Sequence, residues 1–266
     1  MPALAEDYRT LLKRNRIEKE IPEFVINNLN PNLPLRYYQN EALQVFFDYF
    51  NEPQYSKPFH LLFQMATGSG KTLVMAALIL YLWKQGYRNF LFFVNATNII
   101  EKTKQNFLNN SSSKYLFSNQ IVIDNKCINI REVQNFDESN SNDINIVFIT
   151  VQGLHSLLNN SRENSITLED FKDKKIVLLS DEAHHINVLT RLKKKQTGNL
   201  FNNEVDNFKG LNKSEAEDLK TWEGAVNSIY QQNKENIMLE FTATIDLGNE
   251  NIKEKYENKI IYQYDL

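Results

Sequence analysis

Residues 65–72 read Met65-Ala66-Thr67-Gly68-Ser69-Gly70-Lys71-Thr72, between an apolar run from Phe59 to Phe63 and another from Leu73 to Leu82. A strand, a glycine-containing loop, Gly-Lys-Thr and a helix, in that order, are what holding a nucleoside triphosphate requires. Gly68 and Gly70 put no side chain in the way, so the N–H groups from Thr67 through Ser69 to Gly70 can point at phosphate oxygens. The helix that follows offers its free N–H groups and the positive end of its dipole to the same anion. Lys71 would reach the β and γ phosphates, and the Thr72 hydroxyl would ligate Mg²⁺. Met65 is a departure, because the strict pattern places glycine there. A chance glycine loop before a core helix is the alternative, and the fit of both flanks disfavours it.

A chain of 266 residues with 42% apolar residues has ample material for one large α/β domain or two small ones. The formal net charge is −3, so no basic excess advertises nucleic acid and any such surface must be local. The single cysteine, Cys127, excludes an intrachain disulfide framework and fits a reducing cytosol, which makes a cytoplasmic location the expectation. No apolar run approaches the roughly 18 residues of a membrane span, and Met1 to Arg9 lacks the pattern of a secretory signal.

Along the chain, residues 1–34 read as a helical lead-in. Leu4, Tyr8, Leu11 and Leu12 recur at helical spacing, with Lys13, Arg14, Arg16 and Lys19 on the polar side, before Pro31 and Pro34 break the pattern. That basic cluster suits either a solvated face or contact with nucleic acid or acidic protein. Leu35 to Leu43 opens an amphipathic helix about 30 residues before the phosphate loop. Its Gln39 can donate to and accept from an adenine edge at once, which makes it the candidate adenine reader; a polar residue on a capping helix is the plainer alternative.

Phe90 to Val94, Ile144 to Ile149, Lys175 to Ser180 and Ile237 to Phe241 are short continuous apolar runs, as expected of parallel strands buried on both faces. Weaker strands are expected near Gln120 to Ile123, Cys127 to Ile130 and the Ile260 to Tyr262 run, and a helix around Trp222 to Tyr230. Asp137 to Asp143 reads as an exposed loop, and residues 190–220, with Arg191 to Lys195 inside, as a loop or an ordered insertion. Strands alternating with helices predict an α/β fold with a mostly parallel sheet covered on both faces, and ligands at the carboxyl ends of its strands. The polar signatures all follow such runs.

One of these signatures is Asp181-Glu182-Ala183-His184-His185. Phosphoryl transfer to water needs a bound Mg²⁺ and an oriented nucleophile. Asp181 is the natural holder of the metal through its water shell, and Glu182 the candidate to orient or deprotonate the water. His184 suits a hydrogen bond toward the loop carrying Thr242, and a transition-metal site is disfavoured because the phosphate loop already explains the carboxylates. Thr242 and Thr244 bring hydroxyls to another strand end and could report the γ-phosphate state, or simply form a strand-to-helix turn.

The ordered set Leu35–Gln39, Met65–Thr72, Asn95–Asn98, Thr150–Gly153, Asp181–His184 and Phe241–Thr244 resembles the first RecA-like lobe of a superfamily 2 helicase or translocase. Within that superfamily, Gln-Met-Ala-Thr-Gly-Ser-Gly-Lys-Thr and Asp-Glu-Ala-His-His look most like the motor (restriction) subunit of type III restriction enzymes, a branch in which Met65 is unremarkable. The resemblance implies a RecA-like P-loop NTPase lobe over residues 35–266, with ATP and Mg²⁺ as ligands. Gln39 would meet adenine, Lys71 and Thr72 the phosphates and metal, and Asp181 and Glu182 the metal and water. Thr242 and Thr244, with His184, would couple the nucleotide to nucleic acid. Asn95, Ala96, Thr97, Gln152 and Gly153 would line the nucleic-acid path, touching phosphates rather than bases. It also implies double-stranded DNA as substrate and a modification (methyltransferase) subunit supplying sequence recognition. An RNA or DNA helicase of another DEAH-type branch, or a catalytically silent nucleotide-binding fragment, are the alternatives. After Thr244 only 22 residues remain, too few for the second lobe and any nuclease domain that such a motor needs, so the chain is expected to be a piece of a longer protein.

Overall fold

In the computed structural model, residues 4–14, 16–17, 20–55, 57–159, 171–181 and 224–265 are described. Glu182, His184, His185 and the basic run at 191–195 lie outside them.

Seven strands form one sheet in which every pair is parallel. They are β1 (Phe59–Met65), β2 (Asn89–Val94), β5 (Ile130–Glu132), β6 (Ile144–Thr150), β7 (Ile176–Ser180), β8 (Ile237–Thr242) and β9 (Ile260–Tyr264). The spatial order is β5-β6-β2-β7-β8-β1-β9. The continuous apolar runs follow from burial on both faces. Alternate residues of one strand point to opposite sides, and each side has its own core. Leu61, Phe63, Phe90, Phe92, Val177, Leu179 and Leu239 join one; Leu62, Leu91, Phe93, Leu178 and Met238 join the other.

The first core is closed by helices α3 (Tyr37–Asn51), α4 (Lys71–Lys84) and α5 (Thr97–Leu108). Helix α4 is buried from Leu73 through Trp83, which explains an apolar run with no polar stripe. Beneath the sheet lie α6 (Val151–Asn159), a helix through residues 224–232 and a short helix, Glu250–Tyr256, which supply Leu154, Ile229 and Tyr256. Helices on both faces of a parallel sheet, with a phosphate loop after β1, make this a RecA-like P-loop NTPase fold.

The lead-in belongs to the first core. Helix α1 (Leu4–Lys13) lays Tyr8 into it, and the Tyr8 hydroxyl donates to Asp48 of α3 at 3.2 Å. Helix α2 (Glu23–Ile26) buries Val25. After α2, the Asn28 side chain donates to the Phe24 and Val122 carbonyls and accepts from the Val122 N–H, tying the lead-in to a hairpin of β3 (Ile121–Ile123) and β4 (Lys126–Ile128). Asp124 and Asn125 turn that hairpin with φ of 53° and 61°, a conformation these two residue types tolerate.

The stretch Asp137 to Asp143 departs from the expected exposed loop at its end. Asp143 is buried because its carboxylate accepts the Asn129 N–H and pairs with Arg131, which fixes the step from β5 into β6.

Candidate nucleotide and nucleic-acid site

The phosphate loop leaves β1 at Met65 and is pinned at once, since the Ala66 N–H donates to the Tyr264 carbonyl of β9 at 3.0 Å. Gly68 and Gly70 have φ of 78° and 80°, left-handed conformations that glycine adopts without a Cβ penalty. The Ser69 N–H closes a turn onto the Ala66 carbonyl at 3.1 Å. No other described residue bonds the N–H groups of Gly68, Gly70, Lys71 and Thr72, which surround the mouth of the loop at the positive end of α4. The Lys71 ammonium lies within this curve, donating to the Met65 carbonyl at 3.2 Å and the Ala66 carbonyl at 3.4 Å. Ser69 is buried and its hydroxyl has no partner, an exception among buried polar groups that a phosphate oxygen or its water would remove. Thr67 and Gly68 are exposed at the loop tip, and Thr72 is half-buried.

Gln39 sits in the first turn of α3 and reaches the same loop. Its Nε2 donates to the Ser69 carbonyl at 2.8 Å and its Oε1 accepts the Arg36 N–H at 2.8 Å. Nε2 also lies 3.5 Å from the Gly70 carbonyl, so the amide holds the phosphate loop against α3, and the second lone pair of Oε1 stays open to a ligand. A cavity of about 580 Å³ opens beside it, walled by Leu33 to Arg36, by Gly68, Ser69, Gly70 and Thr72, and by Asn106, Lys114 and Leu116. The third wall was not read from the sequence. It is an irregular return after α5, held by the Leu116 N–H on the Asn106 carbonyl at 2.9 Å, and nothing local to Asn106 or Lys114 signals a ligand.

The remaining site residues stand at strand ends along one edge. Asp181 directly follows β7, and Thr242 ends β8, which lies between β7 and β1. Ser180 is level with Glu240, and Thr242 with Gln64, so Asp181 and the start of the phosphate loop are two strands apart, about 10 Å. The Thr242 hydroxyl is fully buried and donates to the Thr244 carbonyl at 2.8 Å, shaping the turn, whereas Thr244 is exposed.

Asn95, Ala96 and Thr97 leave β2, and Gln152 and Gly153 lie in the first turn of α6, just after β6. Val94 is level with Thr150, so these two segments are neighbours. Thr97 and Gln152 are exposed. Gly153 has a packing reason as well. Its N–H donates to the Thr150 hydroxyl at 3.1 Å, and a β-carbon there would press on Thr150 and Ile149. The structure therefore brings together Gln39 and the phosphate loop, brings Asn95–Thr97 beside Gln152–Gly153, and places Asp181, Thr242 and Thr244 between the two groups.

Sequence comparison gives the family. A family model described as type III restriction enzyme, res subunit, matches residues 32–247. The chain belongs to that family. It is also 40% identical over 260 residues to the probable type III restriction-modification enzyme HindVIP Res subunit of Haemophilus influenzae (strain ATCC 51907 / DSM 11121 / KW20 / Rd), covering 92% of this chain and 48% of that protein. This Res-family chain thus spans about half the length of the curated relative it matches. Solved structures with a more distant likeness include the UvsW helicase from bacteriophage T4, at 15% identity and a TM-score of 0.45, covering 96% of this chain and 65% of that one. Another is the Sulfolobus solfataricus SWI2/SNF2 ATPase core in complex with dsDNA, at 13% identity and a TM-score of 0.44, covering 89% and 36%.

Proposed function

We propose that this chain is the ATP-binding lobe of a translocase that couples Mg–ATP hydrolysis to movement along double-stranded DNA, as the restriction subunit of a type III restriction-modification enzyme in the cytoplasm. The observation that carries this reading is the order of strand ends. The phosphate loop follows β1, the candidate nucleic-acid segments follow β2 and β6, and Asp181, Thr242 and Thr244 stand on the two strands between. Within the sheet, β7 and β8 lie between the phosphates and the nucleic-acid side.

In this reading Thr67, Gly68, Ser69 and Gly70 present N–H groups and the Ser69 hydroxyl to the phosphates, and Lys71 turns from its loop carbonyls to the β and γ phosphates. Leu33 to Arg36 with Gln39 receive the adenine. Thr72 and Asp181 are the residues that would hold Mg²⁺, a fit consistent with hard oxygen donors beside the phosphates; bound there, it would supply neutralisation of charge on the transferred group. Glu182, outside the described residues, orients the attacking water, and His184 joins Thr244 in signalling the γ-phosphate. Asn95 to Thr97 and Gln152 with Gly153 hold the DNA backbone. A methyltransferase partner subunit supplies sequence recognition.

The test uses the full-length protein with its modification subunit. ATP hydrolysis should rise on adding duplex DNA carrying the target site, and Lys71→Ala should abolish it. If RNA alone stimulates hydrolysis, or if Lys71→Ala leaves turnover unchanged, the reading is wrong.

A further inference from the structure

The basic face of α1 has no part in the nucleotide site. It borders a second cavity, about 420 Å³, between α1 and the end of β9, with the start of α3 as its third wall. Both α1 and β9 lie outside the residues matched by the family model.

Three features of this cavity bear on a ligand. Arg9 and Lys13 stand one helical turn apart on α1, so both side chains reach the same side. Both are exposed, and neither pairs with a carboxylate of another described residue. The same cavity is lined by Tyr37, 66% exposed and the only aromatic ring so exposed among the described residues. It meets Tyr38 and Tyr264 edge to face, at 81° and 84°, and stacks on neither. The acidic side chain in the lining is Glu41, which already accepts the Tyr262 hydroxyl at 2.8 Å. Two cations with no carboxylate partner among the described residues, on one cavity with an exposed ring, suit a phosphate joined to a planar base, the pairing by which unpaired nucleotides are held.

The linings of the two cavities are joined by direct contacts. Tyr38 stacks on Tyr264 at 3.9 Å between ring centres, and its hydroxyl accepts from Arg36, which lines the first cavity. The Tyr264 carbonyl takes the Ala66 N–H of the phosphate loop.

We propose that the α1–β9 cavity binds a nucleotide unit with an unpaired base, free or in a nucleic-acid strand, its base on Tyr37 and its phosphate between Arg9 and Lys13. This site goes beyond the ATPase reading and does not depend on it.

Photocrosslinking of the 266-residue chain tests it, with each adduct mapped to its residue so that labelling at the first cavity is told apart. The probes are an iodouracil deoxynucleoside monophosphate and a trinucleotide with iodouracil at its centre. An adduct mapped to Tyr37 or Tyr264 is expected, and Arg9→Glu with Lys13→Glu should cut its yield about tenfold. Both substituted residues are exposed, so the melting temperature of the charge-reversed chain should match that of the unaltered chain. An adduct from the trinucleotide alone identifies a strand as the source, and one from the monophosphate identifies a free nucleotide. No adduct at either tyrosine, or a yield unchanged by the charge reversal, overturns the proposal. A charge-reversed chain that keeps its fold but fails to bind a fluorescent ADP analogue counts against the ATPase reading alone.

Discussion

The Gln39 amide donates to the Ser69 carbonyl at 2.8 Å and occupies the space where Gly70 would carry a β-carbon. Gly70 also has φ of 80°. Gly70→Ala therefore meets two penalties, a left-handed alanine at about 1–2 kcal/mol and displacement of a hydrogen-bonded amide at about 1 kcal/mol. Adding Gln39→Ala removes the clash and leaves the backbone penalty, so the double variant should be less destabilised than the two singles summed. Urea unfolding of the four chains measures this. Additive losses would show that Gln39 and Gly70 do not share the space.

At the opposite end of β1, His60 Nε2 is 2.7 Å from the fully buried Glu240 carboxylate of β8, with Lys255 and Lys259 near. Burial pushes that carboxyl up, but the His60 ring and the two ammonium groups prevail and hold it below the usual carboxylate range. A group held low in the fold stabilises it above its unfolded value, about pH 4.3, and loses that contribution as pH falls through the folded value. Thermal stability should therefore drop on acidification below about pH 4.3, and Glu240→Gln should flatten that drop. At neutral pH the same variant should cost about 3 kcal/mol, because it leaves His60 without its partner. Melting curves across pH for both chains check the sign.

Asn28 binds three backbone groups at once, with both Val122 groups among them, and is buried. Asn28→Ala strands these groups and should cost about 2–3 kcal/mol, since lost desolvation rather than lost contact sets the scale. The Val122 amide should exchange with solvent far faster than in the unaltered chain. Unchanged exchange would mean the hairpin is held by other contacts.

Thr242 and Thr244 should separate in their effects. Thr242→Ala removes a buried hydroxyl that shapes the turn and should cost about 1 kcal/mol of stability. Thr244→Ala alters an exposed side chain and should leave stability and ADP-analogue binding alone. In the full-length enzyme it should reduce the stimulation of ATP hydrolysis by DNA roughly tenfold, a coupling of ordinary size. Equal stimulation in the variant would remove Thr244 from the coupling path.

Legibility in the sequence tracked how local each feature is. The phosphate loop was readable because its chemistry needs contiguous residues, two glycines, a lysine and a hydroxyl. Strands β2, β6, β7 and β8 were readable because burial on both faces demands unbroken apolar runs. Asp143 misled for the same reason: its neighbours are polar, and only the approach of Asn129 and Arg131 buries it. Gln39 reads in the sequence as a candidate adenine reader or a polar residue on a capping helix, and its bonds to Ser69 and Arg36 depend on the angle at which α3 meets the loop.

By itself the sequence determined the long apolar strands and the helices between them, though not that Cys127 to Ile130 divides between β4 and β5 in two different sheets, and that a triphosphate-binding loop, a carboxylate pair and two threonines follow strands. Those properties follow from spacing and side-chain type within a few residues. Tertiary structure decided which strands are neighbours, and so that β7 and β8 separate the phosphate loop from the Asn95 and Gln152 segments. It also decided that Asn106 and Lys114 wall the nucleotide cavity, that His60 meets Glu240, and that α1 and β9 enclose Arg9, Lys13 and Tyr37. Each of those joins residues far apart in the chain, and only packing the helices against a twisted sheet sets their distances.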